Sequence, residues 1–404
     1  MINVLTFSTL YPNAVEPHHG IFTETSLRQQ LRHHAMQSVV VAPVPWFPLR
    51  DARFGRYSRY ARVPREEHRN GVRVLHPRYL SLPGPGMHVT PFTLARAGRR
   101  AIGRLLDEGV IVDVIDAHYF YPDGVAAVML GKYFGKPVIV SALGSDITQL
   151  PHYAWPRHLI LQAAQSTYAM ISVCEALRRD MIRLGIPGER IHALRNGVDL
   201  DLFYPEPYDS ARAALGFTGY TLLSVGHLIE RKGHDKAIGA LPDLPDVTLV
   251  IVGDGPEHDN LVRLTERLGV ARRVRFVGVL SQQQLRTCYS AADALVLASQ
   301  REGWANVLLE AMACGAPAVA SAVGGTPEVV TCHAAGRLLP DISAAGVLDA
   351  VRQLRADPPS REATCEYARR HSWHQTTCAQ FAVFTRAARA HRPATDHAHQ
   401  RPAA

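Results

Sequence analysis

EGWANVLLEAMACGAPAVA, residues 302–320, holds two glutamates eight positions apart, Glu302 and Glu310, in a run otherwise small or apolar except for Asn306. A helix as apolar as residues 307–314 belongs in a core. An unpaired carboxylate buried there would cost several kcal/mol. Glu310 is therefore either turned to solvent or held for a ligand, and apolar neighbours on every side favour the ligand. The preceding ALVLAS, residues 294–299, reads as a buried strand, followed by a loop to Asn306. Gly315 suits the first position after the helix, and Pro317 confirms the stop. Asn306 is placed to cap the helix N-terminus. The backbone N–H groups near residues 305–308 then face a strand's carboxyl end, where helix N-termini hold anions.

Glu302 sits in the loop before that mouth. Glu310 lies one turn into the helix and leans back toward it, because helical side chains tilt toward the N-terminus. A ligand with hydroxyls, then phosphates, then a diol fits this layout. Glu302 would accept from one hydroxyl group, Gly303, Ala305, Asn306 and Val307 would line the phosphates, and Glu310 would accept from a vicinal diol such as a ribose. Carboxylates suit sugars because they accept two hydroxyl donors with charge-assisted strength. Upstream, VGHLIERKGHDKAI (225–238) also follows a strand. Gly226 leaves room for a ligand, Arg231 and Lys232 offer charge to a diphosphate, and Gly233 turns the chain into a helix. VGDGP (252–256) and AVGGTPEVV (322–330) are further strand-end glycine turns, read either as walls of the same site or as plain turns.

Outward from this region the pattern repeats. Short apolar runs at 3–7, 38–42, 72–76, 114–117, 138–142 and 170–173 alternate with helical stretches such as 22–33. A second series at 221–225, 248–252, 274–277, 294–297 and 318–320 alternates with 257–268 and 282–291. Alternation of this kind predicts parallel sheets covered by helices on both faces. Two series predict two Rossmann-like domains, parted within residues 196–220 where Pro205 and Pro207 punctuate a polar stretch. Ligands in such sheets bind outside the carboxyl ends of the strands. In the first series that places Gly20, in a loop before a helix, and His118, at a strand end, beside a site. Gly144 and Asp146, within SALGSDI, lie at the next strand end, where Asp146 either lines the cleft or caps a turn. Residues 393–404 read as a disordered tail.

Bulk properties agree with two globular domains. A chain of 404 residues exceeds one ordinary core. No run of about 18 apolar residues occurs, and the opening MINVLTFSTLYP reads as a first strand rather than a signal peptide. Six scattered cysteines without a CxxC pair suggest reduced, mostly buried thiols and neither a disulfide framework nor a zinc site, so a cytoplasmic protein is expected. The net charge of +8 is uneven: thirteen arginines, no lysine and three acids (Asp51, Glu66, Glu67) fall between positions 46 and 104. Arg50, Arg53, Arg56, Arg59, Arg62 and Arg65 recur at every third position. That spacing drifts around a helix instead of forming one face, so a basic, aromatic loop is expected. It would either meet anionic lipid headgroups or a phosphorylated acceptor, or be a solvated surface, and no nucleic-acid module accompanies it.

Glu302 and Glu310 with seven residues between them resemble the E-x7-E motif of the retaining glycosyltransferases of family 4, which have the GT-B fold. Residues 302–330 and RNGVDLDLFYP (195–205) are the most specific parts, and the resemblance covers nearly the whole chain. It implies two Rossmann-like domains facing across a cleft: residues 1–200 for the acceptor, 201–375 for the nucleotide sugar, and a C-terminal helix from 376 returning toward the first. It implies Glu302 at the donor sugar hydroxyls, Glu310 at the ribose, and Lys232 at the diphosphate. His118 would lie beside the anomeric centre, and the Gly20 loop along donor phosphates and acceptor. Two positions depart from the pattern: His227 stands where arginine is usual after the glycine, with Arg231 available as a substitute cation, and Leu143 stands where histidine is usual. The resemblance implies a nucleotide-sugar substrate, UDP before GDP, with no cofactor, and an acceptor that is a glycan or lipid-linked. No DxD-like motif stands in a convincing site, so metal is not required of the residues. An epimerase or phosphorylase of the same fold, or a non-catalytic binding protein, are the alternatives.

Overall fold

The computed structural model describes residues 1–51, 53, 55–81 and 86–391; the tail expected at 393–404 lies outside them. The chain forms two compact units. One comprises Met1–Val173, Leu177–Leu194 and the chain from His374; the other comprises Cys174–Ala176 and Arg195–Trp373.

The first unit contains β1 (Ile2–Phe7), β2 (Met36–Val41), β3 (Val44–Pro45), β4 (Glu66–Arg69), β5 (Val72–Leu75), β6 (Arg78–Tyr79), β7 (Val114–His118), β8 (Val138–Ala142), β9 (Ala169–Ser172) and β10 (Ile191–Ala193). Eight of these form a sheet in the order β10-β9-β8-β7-β1-β2-β5-β4, and β3 pairs with β6. All pairs in the large sheet are parallel except the β4–β5 hairpin. Strands flanked by helices are buried on both faces, which is why β1, β7 and β8 read as near-continuous apolar runs. The order reverses between β1 and β7, where Phe7 pairs with Ala117. Ligands of doubly wound sheets bind at such a point.

The second unit contains β11 (Tyr220–Val225), β12 (Val247–Val252), β13 (Val274–Phe276), β14 (Ala294–Leu297), β15 (Ala318–Ser321) and β16 (Gly336–Leu339). They form one parallel sheet in the order β13-β12-β11-β14-β15-β16, reversing between β11 and β14. Each unit has its own core: Leu222, Leu249, Val296 and Val351 belong to one buried cluster, and Val4, Leu27, Val74 and Phe384 to another. Phe384 comes from the C-terminal helix Trp373–Ala390. That helix is held in the first unit by a 2.8 Å hydrogen bond from Gln30 Nε2 to Gln380 Oε1 and by Phe381 stacked on His34 at 4.6 Å.

Two features differ from the sequence expectation. Strands β3, β4, β6, β10 and β16 fall outside the expected runs. The arginine-rich segment is not all loop: Arg56–Arg62 is helical. Ring contacts of Tyr57 with Phe47 (5.5 Å) and Tyr60 (6.2 Å) anchor this short helix. The cysteines agree with the expectation of reduced, mostly buried thiols: all six are free, Cys174, Cys288, Cys314 and Cys365 are buried, and Cys332 and Cys378 are exposed. Among the described residues, no helix is long and apolar enough to cross a membrane.

Candidate functional site

In the second unit the loops after β11 and β14 leave the sheet where its strand order reverses, and they are joined. Gln300 N–H donates to Arg231 O at 2.9 Å. Arg231 Nη1 donates to Arg301 O at 2.9 Å, and Lys232 Nζ donates to Glu302 Oε1 at 2.6 Å. The Lys232 and Glu302 side chains are only 18% and 8% exposed, so water screens the pair weakly. Gly233 makes the junction feasible. Its φ is +68°, and a Cβ there would fall 2.0 Å from Ala298 O. Any other residue would push the Lys232 loop off the end of β14.

The loop of Glu302 rests on the Gly324–Gly325 turn. A Cβ on Gly324 would lie 1.8 Å from Glu302 O, and Gly325 N–H donates to Gly303 O at 3.1 Å. Trp304 is buried, its ring against Gly325, and its Nε1 has no hydrogen-bond partner. Ala305 is also buried and precedes the helix Asn306–Ala313. Here the expected cap is corrected: Asn306 is the first helical residue, Ala305 occupies the cap position, and no side chain caps the helix. Asn306 Oδ1 instead faces Asn196 Nδ2 at 3.3 Å. Leu308 N–H is spent on Ala305 O at 3.1 Å. The N–H groups of Asn306 and Val307 precede the helical ladder and have no place in it. At the other end Gly315 N–H donates to Met312 O and Ala316 N–H to Ala311 O, both at 2.9 Å, a Schellman closure with Gly315 at φ +91°.

Glu310 lies among protein atoms on nearly every side yet keeps some solvent exposure. Burial pushes its carboxyl up to about 7, opposed by the Tyr289 hydroxyl, which donates to Oε2 at 3.1 Å. Gly226 donates its N–H to Val252 O at 2.9 Å, and the atoms nearest a Cβ there would belong to the Lys232 side chain, at 3.6 Å. His227 is exposed with Nδ1 on Asp254 O. A carbonyl requires an N–H opposite it, so Nε2 becomes a donor only in the charged ring.

In the first unit His118 ends β7, 5% exposed, with Nε2 2.9 Å from Asp116 Oδ2. Ser8, just past β1, donates Oγ to His118 O at 3.3 Å. Gly20 precedes the helix Ile21–His33 at φ +66°, and a Cβ there would meet the Leu10 carbonyl carbon at 2.2 Å. Asp123 is buried and takes Thr9 Oγ1 at 3.0 Å; burial raises its carboxyl to about 7. Asp146 is fully buried. It accepts N–H donors from Phe120 and Gly144, both at 2.7 Å, and from Leu143 at 3.1 Å. Those bonds describe the turn-clamping role, with Gly144 inside the clamped turn. Burial raises the Asp146 carboxyl to about 6.

The sequence reading missed Asp116 and Tyr289. Asp116 had a signal, since residues two apart on a strand share a face. Tyr289 had none, because its helix meets Glu310 only through tertiary packing. Among the described residues, no group of three or more His, Cys, Asp or Glu side chains is arranged to hold a metal.

Two family models match the chain: Glycosyltransferase Family 4 over residues 25–202, and Glycosyl transferases group 1 over residues 209–371. Curated relatives include the D-inositol 3-phosphate glycosyltransferase of Mycolicibacterium smegmatis, 36% identical over 225 residues, or 53% of this chain and 51% of that protein. The protein of that name from Mycobacterium leprae is 38% identical over 212 residues, 49% of each. The chain thus spans about half the length of the curated relatives it matches. The sucrose-phosphate synthase structure from Thermosynechococcus elongatus superposes with a TM-score of 0.79 at 20% identity, over 96% of this chain and all of that one. HepE from Anabaena, solved with UDP and glucose, gives 0.72 at 19% identity, over 95% and 98%. At those identities the likeness establishes the fold alone. Two units with parallel sheets and candidate chemistry at strand carboxyl ends define a GT-B protein. Within that class, the chain belongs to glycosyltransferase family 4.

Proposed function

We propose that this protein transfers a sugar from a nucleoside diphosphate donor to an acceptor hydroxyl with retention at the anomeric carbon. The observation that carries it is the Lys232–Glu302 pair, 2.6 Å apart at the reversal point of the second sheet, with Glu310 on the helix that follows. Lys232 keeps two further N–H donors and Arg231 four. With the N–H groups at the start of helix Asn306–Ala313, they meet the charge that develops on the leaving diphosphate. Glu302 orients the sugar hydroxyls, and Glu310 accepts from the ribose. The bond from the anomeric carbon to the diphosphate oxygen breaks, and the acceptor oxygen bonds to the same face. The acceptor proton passes to the departing oxygen. Within the first unit, Asp116 orients His118 at the end of β7 for the role that the family resemblance implies for it.

The UDP complex of HepE supports UDP as the base. The acceptor is a glycan or lipid-linked molecule at the inner face of the cell membrane, and the product a cell-surface glycan or glycolipid. The arginine-rich segment supports that setting, and relatives named for D-inositol 3-phosphate support an acceptor that carries phosphate.

A thermal-shift screen of UDP-, GDP- and ADP-sugars on wild type and Glu310→Ala tests the donor. A ligand at about 100 times its Kd adds roughly 2.7 kcal/mol. UDP-sugars should stabilise wild type and not the variant, and NMR should find the donor's anomeric configuration kept in the product. No stabilisation of folded protein by any donor, or an inverted product, would sink the proposal.

A further inference from the structure

Large apolar side chains on the surface are unevenly placed. In the first unit Trp46 (52% exposed), Leu49, Leu80, Val89, Phe92 (45%) and Trp155 are all exposed. A continuous chain of contacts brings most of them to one face. Trp46 N–H donates to Tyr79 O at 2.7 Å, which sets Trp46 beside Leu80. Thr93 Oγ1 donates to Leu80 O at 2.8 Å, and Trp155 Nε1 donates to His88 O at 3.1 Å. These bonds gather the β3–β6 ribbon, the start of helix Gly86–Asp107 and Trp155 into one patch. Exposed side chains of that helix form a stripe: Val89, Phe92, Arg96, Arg99 and Arg100 share a face at helical spacing. The stripe is apolar at its beginning and wholly basic beyond. Arg59, Arg62 and Arg65, also exposed, come from the neighbouring segment, where Arg62 Nη2 reaches Arg50 O at 2.9 Å.

Tryptophan and phenylalanine in an exposed patch suit the headgroup boundary of a bilayer. A surrounding field of arginine suits lipid phosphates. Nucleic acid would meet the arginines but gives no reason for Leu49, Leu80, Val89 and Phe92 to face water. We propose that this face is where the protein docks on an anionic lipid bilayer, with Trp46, Leu80, Val89, Phe92 and Trp155 entering the interface and Arg59, Arg62, Arg65, Arg96 and Arg100 meeting headgroups. It rests on the membrane-side acceptor proposed above, yet it concerns residues that take no part in donor binding.

The protein has four tryptophans; Trp304 and Trp373 are buried, so Trp46 and Trp155 are the reporters. Full-length protein is mixed with vesicles of phosphatidylcholine alone, of phosphatidylcholine with phosphatidylglycerol, and of the mixture with brominated acyl chains. Sedimentation with the anionic vesicles only, and quenching by bromine that is lost in the W46F/W155F double variant, are expected. Phe92→Asp should abolish quenching. Arg59→Ala with Arg62→Ala should weaken binding about thirtyfold, at about tenfold per 1.4 kcal/mol. All variants should keep the wild-type Tm and donor-induced thermal shift. Equal binding to neutral vesicles, sedimentation without quenching, or binding to heparin or RNA with no binding to anionic vesicles would overturn the docking face. A lost donor shift in wild type would overturn the transfer reading instead.

Discussion

At the scale of single residues, Glu310 joins stability and binding through one proton. Its carboxyl is raised from the ordinary 4.5 to about 7 by burial. A raised carboxyl favours the folded state below 4.5, and that contribution is lost as pH rises through about 7. Glu310→Gln should therefore be more stable than wild type at pH 8, by at most roughly 3 kcal/mol, with the gap closing near pH 5 in thermal melts. Donor affinity should run the other way. It should fall in wild type as pH drops below 7 and stay flat in the variant, as titration calorimetry would show. Lys232→Ala should lower single-turnover rates about 10²–10³-fold, the usual effect of removing one stabiliser of developing negative charge. An unchanged rate would mean that Arg231 alone meets the diphosphate.

At the scale of elements, glycine turns decide where the charged residues stand. Gly324→Ala should destabilise the protein by about 2 kcal/mol or more, from its positive φ and its contact with Glu302 O. It should also raise the donor KM, since the Glu302 loop must shift. Normal KM with lowered stability would separate the turn from the site. This scale also shows how far the sequence could be read. Strand ends followed by Gly226, Lys232 and Glu302 were legible because buried parallel strands are apolar runs and their ends carry the polar residues. The Asn70–Gly71 pair was a hairpin signal left unread, and both residues sit at positive φ between β4 and β5. The cap assigned to Asn306 failed because its side chain faces Asn196, 110 positions earlier. Tyr289 could not have been found, since only packing of helix Gln282–Ala291 brings it to Glu310.

At the scale of the whole molecule, the chain crosses between its units more than once, and its last helix belongs to the first unit. Phe384 is fully buried there. Phe384→Ala should cost about 3–5 kcal/mol in that unit. Urea unfolding followed by hydrogen exchange should show early loss of protection in β1 and β2 while β11 and β12 hold; uniform loss would mean the units unfold together. The cysteines have a practical consequence. Four are out of reach of reagents, and the two exposed ones fall in different units, Cys332 in the second and Cys378 in the first. Maleimide dyes added to the unaltered protein would thus attach one to each unit. Energy transfer between them would then report, molecule by molecule, whether adding a nucleotide sugar changes the distance between the two units.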